Sequence, residues 1–141
     1  MRGGFGFLEE AMFTAETIER LSALIESRLE EYREARMNLA RAINEVTELE
    51  QRLADAELRV RVNLINNFGT LGRNAEERKL KVNDALANDP EVRELRASLK
   101  DATTRLEIRK AEAASVYMAL KAAIARAEMF SSKDPDPDLT A

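Results

Sequence analysis

An apolar repeat at alternating steps of three and four residues runs through two long stretches of this chain and constrains the fold more than any other feature. In the first stretch it takes in Ile18, Leu21, Ile25, Tyr32, Ala35, Leu39, Ala42, Val46, Leu49, Leu53, Ala56 and Val60, broken only by Arg28. In the second it takes in Val92, Leu95, Leu99, Ala102, Leu106, Ala113, Val116, Leu120, Ala123, Ala127 and Phe130, broken by Arg109. A spacing averaging about 3.5 residues sets these side chains on one narrow seam of a helix, and so long a seam must meet another helix. The pattern predicts an all-α chain: a long antiparallel coiled-coil helical hairpin held by a thin seam instead of a thick core.

The punctuation supports this. Thr14 reads as an N-cap, with Glu16 and Glu19 near the positive end of the helix dipole. No Pro or Gly follows until the stretch from Asn66 to Asn74, which combines Gly69 and Gly72 with three Asn and should reverse the chain. Asn74 with Glu77 reads as a capping box that restarts a helix. Asn88-Asp89-Pro90-Glu91 is a smaller break in which Asp89 caps and Pro90 opens the next helix. The expected organisation is a short N-terminal helix over residues 1–13, arms over about 14–66 and 74–130 with a break at 88–90, and a disordered acidic tail over 131–141.

Composition narrows the chemistry. The 141 residues include neither Cys nor His, so disulfides, thiolate nucleophiles, imidazole bases and Cys/His zinc sites are excluded. Phosphate-loop glycines and metal-binding helix signatures are also missing. Carboxylate pairs such as Glu30-Glu31, Glu76-Glu77 and Glu48/Glu50 read as solvated faces or partners of Arg at helical spacing. The expectation is a protein that is not an enzyme and takes no cofactor or metal. The Gly-broken start does not read as a signal-peptide core, and no apolar run approaches a membrane span, so the expectation is a cytoplasmic protein with no membrane contact.

A turn centred near residue 71 places positions facing one another when their numbers add up to about 142. Arg28 then falls near Ala113 and Glu112, and Arg109 near Tyr32 and Glu31, each Arg stem lying along the seam with its head outward. Leu24, Leu29, Ile43, Leu64, Ile65, Ile108, Tyr117 and Ile124 flank the seams. Two helices cannot cover them all, so a homo-oligomer is expected. Phe5, Phe7, Leu8, Met12 and Phe13, together with Met129 and Phe130 at the other end of the hairpin, are the candidate oligomer interface. The N-terminal cluster equally suits folding back on its own hairpin base.

Charge is unevenly distributed. The formal net charge is −4, yet residues 59–81 carry Arg59, Arg61, Arg73, Arg78, Lys79 and Lys81 against only Glu76 and Glu77. These six cations are the candidate nucleic-acid-binding residues. Asn63, Asn66, Asn67, Asn74 and Asn83 add amide hydrogen bonds, and Phe68 one stacking surface. Solubilisation of exposed helix ends is the plainer role for the same charges.

The segments Gly72-Arg73-Asn74-Ala75-Glu76-Glu77-Arg78-Lys79 and Ala85-Leu86-Ala87-Asn88-Asp89-Pro90-Glu91-Val92, with the helix reaching Ala125-Arg126-Ala127, resemble small helical-hairpin proteins of bacterial viruses, in particular UvsY-like recombination mediators. The likeness covers roughly residues 35–130. It implies a non-catalytic oligomer, in the cytoplasm of a bacterial host, that binds single-stranded DNA, helps displace a single-strand-binding protein and assists loading of a RecA-like recombinase. On matching positions it assigns DNA to Arg73, Arg78, Lys79 and Lys81. The residues also allow a second reading: a protein-only coiled-coil scaffold, chaperone or inhibitor with no nucleic-acid binding.

Overall fold

The computed structural model describes the backbone of residues 3–68 and 72–132, with side chains over 15–67 and 72–130. The chain is all-α: α1 (Gly3–Phe68), α2 (Ala75–Asn88) and α3 (Pro90–Ser132), with no strand among the described residues. No described helix is long and apolar enough to cross a membrane.

The N-terminal boundary differs from expectation. Residues before Thr14 do not form a separate short helix, because α1 is continuous from Gly3 through Phe68. Thr14 lies between good helix formers and no Pro or Gly follows Gly6 until Gly69. A Thr inside a helix costs only about 0.5 kcal/mol, too little to break one. At the other end α3 runs two residues past Phe130, to Ser132. The tail expected from there lies, over residues 133–141, outside the described residues.

The helices divide into two compact units, one of residues 39–109 and the other of 1–38 with 110–141. In the 39–109 unit, Ala56, Val60, Leu86 and Val92 form a buried cluster, and Leu53, Val82, Ala85 and Leu95 pack against it. Ala42 and Ala102 are buried along the same seam residues. Polar links between helices fix direction: Arg105 reaches Glu45 at 2.5 Å, Arg96 reaches Glu57 at 3.5 Å, and Arg59 reaches Glu91 at 2.9 Å. Partners descend along α1 as they rise along α3, so the two segments run in opposite directions.

In the other unit, the Tyr32 and Tyr117 rings sit 5.5 Å apart at 41°. Ala35, Ala113, Leu120 and Ala123 are buried there. Among the described residues six of the ten buried apolar ones are Ala, and Val92 alone of the large side chains is completely covered. Few bulky groups leave water, so each contributes a large share of the stability.

The register is displaced from the expected one by about one heptad. Tyr32 faces Tyr117, not Arg109, and Arg28 pairs with Glu31 on its own helix at 3.0 Å instead of lying against Glu112 or Ala113. Within the 39–109 unit the pairs Arg59–Glu91 and Arg105–Glu45 are displaced in the same sense, and there the reversal is lopsided. Burial on α2 begins only at Val82, so Ala75–Lys81 precedes the first packed position and shifts the midpoint toward the C-terminus.

Candidate nucleic-acid interface

The start of α2 is built by local hydrogen bonds. Asn74 adopts an extended conformation (φ −139°, ψ 172°) and its side-chain Oδ1 accepts from the Glu77 N–H at 2.8 Å. Glu77 Oε2 in turn accepts from the Arg73 N–H at 2.9 Å, one residue earlier than in the usual capping box. Gly72 makes this closure possible. Its φ of +149° is a conformation that side-chain-bearing residues rarely adopt, and a Cβ there would stand 3.0 Å from Glu77 Cβ. Arg73 is thereby tied at its backbone to the first turn of α2.

From that start, Arg78, Lys79 and Lys81 project within one helical turn, and all three are exposed, as is Arg73. None of the four forms an ion pair among the described residues. Glu76 and Glu77 occupy the first turn, where the positive end of the helix dipole lies. An incoming phosphate would therefore be held by side-chain cations and not by the helix end.

Arg59 and Arg61, placed in the same group by sequence, are differently situated. Arg59 bridges two carboxylates, Asp89 at 3.1 Å and Glu91 at 2.9 Å. Its role is to tie α1 to the start of α3. Arg61 stands 4.0 Å from Glu57, one turn earlier on its own helix. Widening the window to residues 57–91 adds Glu57, Asp84, Asp89 and Glu91, and the local charge balance falls to zero. Within this window the cations that form no ion pair among the described residues are those of residues 73–81.

The Glu57–Arg61 relation was readable from its i,i+4 spacing. The Arg59 bridge was not, since it depends on register. Asn63, Asn66, Asn67 and Asn83 are exposed. The Phe68 side chain lies outside the described residues.

Other carboxylates expected to be partners of Arg are so engaged: Glu30 with Arg33, Glu31 with Arg28 and Glu48 with Arg52. Among the described residues, no group of three or more Asp or Glu converges as a metal site would require. Comparison with models of protein families, with curated proteins and with solved structures finds no match to this chain.

Of the candidate oligomer residues, Met129 and Phe130 line a shallow apolar depression with Thr17, Leu21, Ala122, Ala125 and Arg126 in the unit of 1–38 and 110–141. The side chains of Phe5, Phe7, Leu8, Met12 and Phe13 lie outside the described residues.

Proposed function

We propose that this chain is an oligomeric, non-catalytic accessory protein that binds single-stranded DNA through Arg73, Arg78, Lys79 and Lys81. Its resemblance to UvsY-like mediators extends the proposal to assisting a RecA-like recombinase and helping to displace a single-strand-binding protein. One observation carries the reading: the charged groups of these four exposed residues form no ion pair among the described residues, whereas Arg59 and Arg61 are engaged by acids. A capped helix start holds them within a few residues of one another.

Binding to a labelled single-stranded oligonucleotide, followed by fluorescence anisotropy over a salt series, tests this. Four phosphate contacts per protomer give a log–log salt slope of roughly −3. Replacing all four residues with Ala should abolish binding and leave the helical circular-dichroism signal unchanged. If the fourfold variant keeps both affinity and slope, the site is wrong. If the intact chain binds no oligonucleotide at low salt, the function is wrong.

A protein-only scaffold is the second reading, favoured by the exposure of Ile18, Met37, Ile108 and Met118. In that case the fourfold variant retains every activity, and protein partners, not nucleic acid, co-purify with the chain.

A further inference from the structure

On α1, within the 39–109 unit, lies a second apolar stripe that none of the described residues covers. Ile43 is 45% exposed, Leu58 58%, Val62 44% and Ile65 51%, although the same helix buries Ala56 and Val60 in its packed seam. Ile43, Ala54 and Ile65 are spaced by eleven residues, which is about three turns, so they align along the helix. Leu58 falls beside that line, and Val62 borders it above a shallow depression shared with Asp55, Arg59 and Asn63. The stripe lies about 140° around the helix from the packed seam, so one helix carries two apolar faces.

We propose that this stripe docks against the same stripe of a second copy of the chain, antiparallel, about a two-fold axis at Ala54. The spacing makes the face complementary to itself. With the axis at Ala54, Ile43 of each copy meets the partner's Ile65, and the small Ala54 side chains let the helices approach at the centre. Charge selects the direction. Glu50 and Arg61 border the same edge of the stripe on opposite sides of Ala54, so antiparallel pairing sets each Glu50 beside the partner's Arg61. Parallel pairing would put the Glu50–Arg61 edges of the two copies on opposite sides of the contact, so no such pair could form. Arg61 is held by Glu57 through a long contact of 4.0 Å, which a partner's Glu50 can replace.

The contact is about 33 Å long, between single helices. That is a small interface, so the expected association is reversible at micromolar concentration, not obligate. It is separate from DNA binding, and no step of its test uses nucleic acid.

The absence of cysteine makes the test direct. In the chain carrying Ala54→Cys, the two introduced thiols would lie across the axis, within the separation of under about 7 Å that a disulfide requires. Mild oxidation should then convert it to a covalent dimer at least about tenfold faster than a chain carrying Arg41→Cys on the far side of the helix. Adding Leu58→Glu and Ile65→Glu to the Ala54→Cys chain should remove that advantage. Sedimentation should show Glu50→Arg weakening the dimer and the exchange Glu50→Arg with Arg61→Glu restoring it. Equal oxidation rates at positions 54 and 41, or a native chain that stays monomeric at about 100 µM, would overturn the proposal. Failure of the charge exchange to restore association would overturn the antiparallel arrangement.

Discussion

Leu80 and Leu86 occupy the same helix six residues apart, yet Leu80 is 69% exposed and Leu86 only 3%. The division between them runs through the middle of α2. Its second half, from Val82, packs on Ala56 and Val60 of α1 and Val92 of α3. Its first half, Ala75–Lys81, touches none of that cluster and carries Arg78, Lys79 and Lys81. One half is anchored by burial and the other carries the hydrogen-bonded cap. The contrast shows how a chain with little core can still present a charged helix: burial anchors one end and hydrogen bonds order the other.

Truncation of the two leucines should expose that contrast most strongly. Leu86→Ala removes a buried side chain from a four-residue cluster that has little material to fill the space, and should cost about 2–4 kcal/mol. Leu80→Ala should change stability by less than about 0.5 kcal/mol. Urea unfolding followed by circular dichroism measures both. Equal effects would mean that α2 is packed along its whole length and that the register is wrong.

The joint between α2 and α3 should respond next. Asp89 accepts from the Val92 N–H at 3.0 Å as N-cap of α3, donates its own N–H to Ala85 O at 3.1 Å, and receives Arg59 at 3.1 Å. Asp89→Ala removes the cap and one of the two carboxylates on Arg59. The cap alone is worth about 1 kcal/mol, and the half-exposed ion pair adds only a fraction of that. The expected loss is therefore about 1–2 kcal/mol. Asp89→Asn should recover most of it, since Asn caps as well as Asp. If Asn fails to rescue, the Arg59 bridge matters more than the cap.

These two sites also mark what could be read from residues alone. The seams, the Asn74 cap and the Asp89-Pro90 break were legible because each rests on neighbours within one or two helical turns. Register was not. Sliding two heptad seams past one another by one repeat leaves apolar residues facing apolar residues, so the repeat itself cannot distinguish the alternatives. The cross-helix pairs, Arg59 with Glu91, Arg96 with Glu57 and Arg105 with Glu45, select one. The same ambiguity made Arg59 look like a free cation, because its acidic partners are distant in the chain. Thr14 misled for the opposite reason. Its capping chemistry is real, but a cap signal needs a break beside it, and none is present.

The smallest expected effect lies at the exposed end of α2, where Asn74→Ala removes the acceptor for the Glu77 N–H. Exposed caps contribute about 0.5–1 kcal/mol, and here the loss should stay local. Unfolding of the cluster around Leu86 and Val92 is not linked to the first turn by any burial, so the global midpoint should hardly move. Amide exchange over residues 75–81 should instead quicken by roughly two- to fivefold, the change in opening equilibrium that such an energy allows. Oligonucleotide affinity should fall modestly and by less than in the fourfold cation variant, because fraying scatters Arg78, Lys79 and Lys81 without removing their charge. Quickened exchange that spread past Val82 would show the two halves of α2 to be one cooperative unit.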